Sequence, residues 1–207
     1  MKKYELTAEF IEKWGKKLFR IKALISFGNV EAGELGGYVE KEDNLAQDDN
    51  AWVHGNARVF GNARVCDNAW VHGNARVFGN ARVCDNARVF GNARVCDDAE
   101  VCGNARVCGN ARVYGNARVY GDADYLLIGR IGSRFSFTTF FKNKDKGITV
   151  SCGCFLGTIA EFRAKVSDTH GNNKHAKIYN LAADMAELQI LGEEHFENLN
   201  TNKSEPF

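Results

Sequence analysis

From residue 51 to residue 122 the chain repeats a six-residue unit, Ala-x-Val-x-Gly/Asp-Asn/Asp, twelve times without an insertion. Valine holds the third place of every unit, from Val53 to Val119. A short fixed period outweighs single-residue propensities, because a unit that cannot bury its apolar face alone must bury it against its neighbours. Within Ala-Arg-Val-Phe the side chains alternate, so Ala and Val face inward and the residues between them face out, as in a short strand. Gly-Asn follows, and both residues tolerate the positive φ that a sharp corner asks for. Residues 51–68 recur unchanged at 69–86. Eighteen residues are three units, so one coil is expected to be triangular, with three strands and three corners. Twelve units then give four coils stacked at roughly 4.8 Å, about 20 Å of rod.

Stacking at eighteen residues lines up Trp52, Trp70, Arg88 and Arg106, and likewise His54, His72, Phe90 and Cys108. Phe60, Phe78, Cys96 and Tyr114 form another column, and Cys66, Cys84, Cys102 and Tyr120 another. The last two are Arg58, Arg76, Arg94 and Arg112, and Arg64, Arg82, Glu100 and Arg118. Every basic residue of the rod is Arg, a planar cation that stacks on rings. Outward Phe and Cys are unusual on a free surface. Either Arg stems cover the aromatic ladders through cation–π contacts, or another part of the chain or a second subunit does. The expected scaffold is self-associating, a homo-oligomer of two or three copies (dimer or trimer).

Charge excludes little: Lys plus Arg is 27 against 26 Asp plus Glu, and the rod holds 9 basic and 6 acidic residues. Repeated cations are what phosphates need, but acidic corners at Asp67, Asp85, Asp97 and Asp98 interrupt them, so nucleic acid is not favoured. No run reaches the apolar length that spans a bilayer. Residues 4–14 are broken by Glu5, Glu9, Glu12 and Lys13, unlike the apolar stretch of a signal peptide. Seven cysteines, an odd number with no export signal, imply reduced thiols. The expected setting is soluble and cytoplasmic, with no membrane partner and no cofactor.

Residues 1–50 are expected to cap the rod, since an open end would template association. Residues 17–25 read as a strand after a hairpin turn at Gly15, and residues 30–39 with 44–50 read as an imperfect first coil. Residues 123–207 differ in kind. Stretches 125–131, 134–142 and 147–152 read as strands, with a polar hairpin turn at 143–147. Thr158-Ile-Ala-Glu161 is a capping box opening a helix that stops near Gly171, and residues 176–191 read as a second helix. The expected domains are a β cap (1–50), the rod (51–122) and a small β-β-β-α-α module (123–207).

These hexads resemble the left-handed parallel β-helix of hexapeptide-repeat proteins, and the resemblance supplies the handedness, an exception to the right-handed crossover rule. The run AGELGGYV, followed by NLAQ and then AWV, is similar to the opening of an uncharacterised bacterial family of hexapeptide-repeat transferases, over residues 18–122. The pattern GSR…TTFFK…GI.VSCGCF.GT…F…V..THG is similar to a short domain of hypothetical phage and prophage proteins. Together they imply a mainly β protein: a left-handed parallel β-helix with a β cap and an α+β C-terminal domain. The second resemblance implies a phage accessory protein in the host cytoplasm, engaging or inhibiting a host protein, for instance in counter-defence.

Acyl transfer is the activity attached to hexapeptide rods, with a His base at a trimer interface. His54 and His72 are the rod's two histidines, but they stand in identical repeats and no loop makes an acceptor pocket beside them. A base needs an organised setting of its own, so a non-catalytic scaffold is preferred and the acyltransferase is the alternative. Cys152-Gly-Cys154 reads as two thiols on one strand face, and with His170 and His175 they would make a tetrahedral zinc set. Cys-x-Cys is shorter than the usual zinc knuckle, and strand cysteines beside Phe155 are commonly core residues, so no metal is the first reading. A Cys–His nucleophile pair, Cys152 or Cys154 with His170, lacks an orienting third group. The fullest polar cluster is Ser133, Arg134, Thr138, Thr139, Lys142 and Lys146, with Thr158 at a helix start and His170. Hydroxyls, cations and a helix N-terminus suit a nucleotide-like anion or an acidic partner surface. The plain alternative is a solvated strand face, where Thr is favoured for its own sake.

Overall fold

A computed structural model describes residues 1–194 of the protein. The chain divides into two compact units, Met1–Asp122 and one from Ala123 onward. In the first unit, residues two and three of each hexad form a minimal strand. These are Trp52–Val53, Arg58–Val59, Arg64–Val65, Trp70–Val71, Arg76–Val77, Arg82–Val83, Arg88–Val89, Arg94–Val95, Glu100–Val101, Arg106–Val107, Arg112–Val113 and Arg118–Val119 (β4 to β15). All twelve first-place alanines and all twelve valines are fully buried. Each strand pairs in parallel with the one three units on: Trp52 with Trp70, Arg58 with Arg76, Arg64 with Arg82. Three parallel sheets result, β4-β7-β10-β13, β5-β8-β11-β14 and β6-β9-β12-β15, the three sides of a solenoid.

The corner chemistry differs from expectation. Positive φ falls on the fifth place alone, at glycines from Gly55 (φ 67) to Gly115 (φ 63), and at Asp67, Asp85 and Asp97. The sixth-place Asn keeps ordinary backbone angles and uses its amide instead. Asn50 donates to Asn68 at 2.9 Å and Asn62 to Asn80 at 3.2 Å, so the corners are tied by side-chain ladders. Asn is selected here for a stackable amide rather than for backbone freedom.

Tyr4–Lys13 (β1) and Lys16–Ala23 (β2) form an antiparallel hairpin, turned by Trp14 and Gly15 at φ 54 and 72. Leu35–Val39 (β3) runs antiparallel to β2 and parallel to β5, so it carries the hairpin onto one solenoid face. Tyr38 pairs with Arg58 and Leu45 with Val65, so this imperfect first coil spans twenty residues where the regular ones span eighteen. Asn44 is fully buried and locks it: its amide donates to the Gly61 and Ala63 carbonyls and accepts from the Glu40 and Lys41 amides. Lys3, 2% exposed, donates to the carbonyls of Asp48, Asp49 and Ala51, and burial pulls its pKa down to about 8.

Tyr125–Ile131 (β16), Ser136–Lys142 (β17), Ile148–Cys152 (β18) and Phe155–Thr158 (β19) form an antiparallel meander in the second unit. Two helices follow, Ile159–His170 (α1) and Lys174–Leu191 (α2), and Phe162, Val166, Tyr179, Ala183 and Ile190 pack against Phe140 and Val150. The module is therefore β-β-β-β-α-α, one strand more than expected. Gly153 and Cys154 make a two-residue turn, with Gly153 at φ 63, and Cys152 pairs with Phe155 across it. A strand of four residues so close to a capping box leaves no clear hydrophobic period to detect. No helix among the described residues is long and apolar enough to cross a membrane.

Candidate functional site

Two ladder faces of the solenoid are arranged in different ways. On one, Trp14 from the β1–β2 turn stacks on Phe60 at 5.0 Å, and Phe60 on Phe78 at 5.0 Å, with the Arg76 guanidinium 4.9 Å from the Trp14 ring. The chain thus covers its own aromatic ladder. His54 faces Glu34 at 3.5 Å, and His72 stacks on Phe90 at 5.0 Å. Burial, then the His54 and Arg88 charges, hold the His72 imidazole below its ordinary pKa. Among the cysteines, Cys84 and Cys102 are joined in a disulfide, against the expectation of reduced thiols throughout. Counting cysteines misses this, because the coil period places their Cα atoms 4.6 Å apart, inside the disulfide range.

The C-terminal unit holds a pocket of about 190 Å³ where the β16–β17 and β18–β19 turns meet one face of α1, from Phe162 to His170. Its floor is apolar: Phe155, Phe162, Val166 and Tyr179, with the Cys152 thiol. Phe162 meets Tyr179 edge-on at 5.6 Å, and the His170 ring stacks on Tyr179 at 5.7 Å. Arg134, Lys165 and His170 supply the basic groups, Ser133, Ser136 and Thr169 the hydroxyls, and among the described residues no carboxylate lines it. Burial, then Cys152, push the Tyr179 phenol up to about 12, so at neutral pH it keeps its proton. A side chain at Gly132 would run into that phenol, so glycine there holds the floor open.

Of the eight expected ligand residues, Ser133, Arg134 and His170 come together in this pocket. The others are spent elsewhere. Thr138 is buried and donates to Cys152 Sγ at 3.2 Å, while Thr139, one residue on, is buried too. Lys142 pairs with Asp124 at 3.1 Å, and Lys146 is exposed in the hairpin turn at the far end of β17. Thr158 caps α1 through the Glu161 amide. Thr158 does not line the pocket, so the pocket's charge comes from side chains. As for the zinc set, Cys154 is exposed in the turn and Cys152 half-buried beside Thr138. The His170 and His175 rings are 5.9 Å apart, and His175 Nδ1 is buried without a partner. Among the described residues, the donors of that set do not gather as a metal-sized group.

Tyr179, Phe162, Lys165, Val166 and Thr169 were not legible as site residues one by one. Positions 162, 165, 166 and 169 do share one face of α1, the i, i+3, i+4, i+7 stripe. That stripe mixes a cation and a hydroxyl into apolar spacing, which is the one signal available.

The fold defines a repeat β-solenoid protein, with an antiparallel hairpin at one end of the chain and a separate α+β unit at the other. Its rod is similar to the YdcK β-solenoid repeat family over residues 57–73, 81–97 and 111–123. No curated protein matches the chain.

Proposed function

We propose that the protein is a non-catalytic scaffold whose C-terminal unit binds a small anion carrying one flat apolar ring. The observation that carries this is the pocket's composition: an aromatic floor ringed by Arg134, His170 and Lys165, the last also paired with Asp168 at 3.2 Å, with no carboxylate among the described lining residues. Cations and hydroxyls above a ring-lined floor favour a phosphate or carboxylate attached to an aromatic body. Size sets the upper limit. At about 190 Å³ the pocket is smaller than the roughly 300–1,000 Å³ typical of drug-sized ligands, so one ring fits better than a whole nucleotide. The likeness of residues 132–171 to phage and prophage domains supports an accessory role in a host cytoplasm, where sequestering such an anion would blunt a host response.

Acyl transfer has less support. His54 is held against Glu34 and His72 against Phe90, and no inserted loop interrupts the hexads beside them. The two readings separate by calorimetric titration of the whole chain with phenyl phosphate, AMP and acetyl-CoA. Phenyl phosphate is expected to bind, AMP at least several-fold more weakly, and Arg134→Ala to lose about ten-fold by removing a charge-assisted hydrogen bond. Binding of acetyl-CoA alone, lost in His72→Ala, would return the chain to the transferases.

A further inference from the structure

Five of the seven cysteines stand in the rod, all at the fourth place of a unit. Cys66, Cys84 and Cys102 occupy one place in three successive coils, fixed by the parallel pairing β6-β9-β12. The Cys66 and Cys84 amides donate to the Val83 and Val101 carbonyls at 3.1 and 3.0 Å, so the column is part of the backbone ladder. The Cys84 and Cys102 sulfurs and a carboxylate oxygen of Asp85 all lie within 4.8 Å of one another. This is the only such set of three metal-type donors among the described residues.

The corner residues point the same way. Asp replaces Gly at a fifth place only directly after Cys: Cys66-Asp67, Cys84-Asp85 and Cys96-Asp97. Every fifth place that follows Phe, His or Tyr is Gly. Asp adopts positive φ less readily than Gly, so each exchange sets a carboxylate beside a thiol at a conformational cost. Part of that cost is offset, since Asp85 accepts the Gly103 amide at 2.9 Å. One such bond still leaves the carboxylate with lone pairs to offer. Glu100 stands where its column otherwise holds Arg, two residues before Cys102, and adds negative charge on that side, shared with Arg118 at 3.3 Å.

We propose that, once reduced, Cys84 and Cys102 with Asp85 form a site for a thiophilic divalent cation of the zinc class. The ion and the disulfide are then alternative occupants of the same two sulfurs. A tetrahedral ion with sulfur bonds of about 2.3 Å holds two sulfurs roughly 3.8 Å apart, a spacing that side chains on Cα atoms 4.6 Å apart reach by rotation once unbonded. A dithiol reduces the S–S bond with its own two electrons and two protons and becomes a disulfide. A phosphine supplies the two electrons, water supplies the two protons, and the phosphine leaves as its oxide. Ion binding then displaces both thiol protons. The rod orders the ligands before the ion arrives, so little conformational freedom is lost on binding. Cys66, next along the column, donates its thiol to Asp67 at 3.2 Å and does not belong to the three-donor set.

The test uses the full chain, reduced with a phosphine, freed of excess reagent under nitrogen and titrated with cadmium. Thiolate-to-cadmium absorption and native mass spectrometry are read together. The expected result is one ion per chain with a two-thiolate absorption, none for the oxidised chain, and at least ten-fold weaker binding in Cys84→Ser or Cys102→Ser. Cys108→Ser and Cys152→Ser should bind as the parent does. Asp85→Gly keeps the corner residue used elsewhere in the rod, so the coil survives and the ion is held several-fold less tightly. Absence of a stoichiometric ion in the reduced chain, or binding unchanged in Cys84→Ser with the β circular dichroism intact, overturns the proposal.

Discussion

Gly79 and Gly55 sit at the same place of the repeat with nearly the same backbone, φ 71 and 67, yet a methyl group would meet different surroundings. A Cβ on Gly79 would lie 2.8 Å from the Asp97 amide nitrogen and 3.2 Å from its Cα, paired backbone that cannot move aside. On Gly55 its nearest neighbour would be the Gly73 carbonyl oxygen at 3.6 Å. Gly55→Ala should therefore lose about 1 kcal/mol, the left-handed penalty alone, and Gly79→Ala about 3 kcal/mol, read as urea midpoints at constant m-value. The rod thiols give a pH dependence at the same scale. Burial pushes Cys96 up to about 12 and Cys66 up to about 11, with Asp97 and Asp67 adding to it. An unfolded chain releases these protons near 9 while the folded chain retains them. Stability from these two groups is thus whole below pH 9 and is lost as pH rises toward 11 and 12. At pH 8 iodoacetamide should label Cys154, exposed in its turn, and leave Cys66 and Cys96 unreacted. Peptide mapping that finds Cys96 modified alongside Cys154 would contradict the buried, protonated state.

Between elements, α1 and α2 are joined by one cation. Arg163 reaches Asp184 at 2.7 Å and Glu187 at 2.6 Å, and Glu187 is 7% exposed. Removing the cation leaves a nearly buried carboxylate unpaired, the costly half of a buried ion pair. Arg163→Met should lower the stability of the C-terminal unit by about 2 kcal/mol, and adding Glu187→Leu should restore most of it. Failure of the second change to rescue the first would mean that Arg163 acts by packing instead. Most element boundaries of this unit could be read beforehand, because Thr158 and Glu161 form the capping box seen in the structure and Gly171 ends the helix. The fourth strand could not, since Phe155–Thr158 is too short to show a period. Its absence from the reading also misplaced Cys154, which a turn removes from the face that Cys152 occupies.

At the scale of the whole molecule, two separate cores imply two unfolding events. The solenoid core is Ala and Val, with a small cluster of Leu18, Tyr38 and Phe60 under the hairpin, whereas the second unit packs Phe140, Phe162 and Tyr179. Scanning calorimetry should resolve two transitions. Val95→Ala, which empties part of a fully buried site, should lower only one of them, by about 2 kcal/mol. Arg163→Met should lower only the other. A single transition moved equally by both variants would show the units to be coupled.

The amino-acid pattern by itself determined the rod. A strict six-residue period with Ala and Val inward leaves one economical way to bury the apolar face, and an eighteen-residue recurrence sets its three sides. The tertiary structure decided what each exposed column does, because residues 51–68 and 69–86 are identical in sequence but not in surroundings. Trp52 is fully buried between the edges of Tyr4 and Phe27 while Trp70 is only partly covered, and Cys84 is bonded to Cys102 while Cys66 is a thiol. Likewise Arg134 and His170 are 36 residues apart in the chain and share a pocket because two hairpin turns and a helix end converge. Local period is a nearest-neighbour property that sequence carries in full. Covering, pairing and convergence depend on which distant segments arrive, and those are settled only when the whole chain is packed.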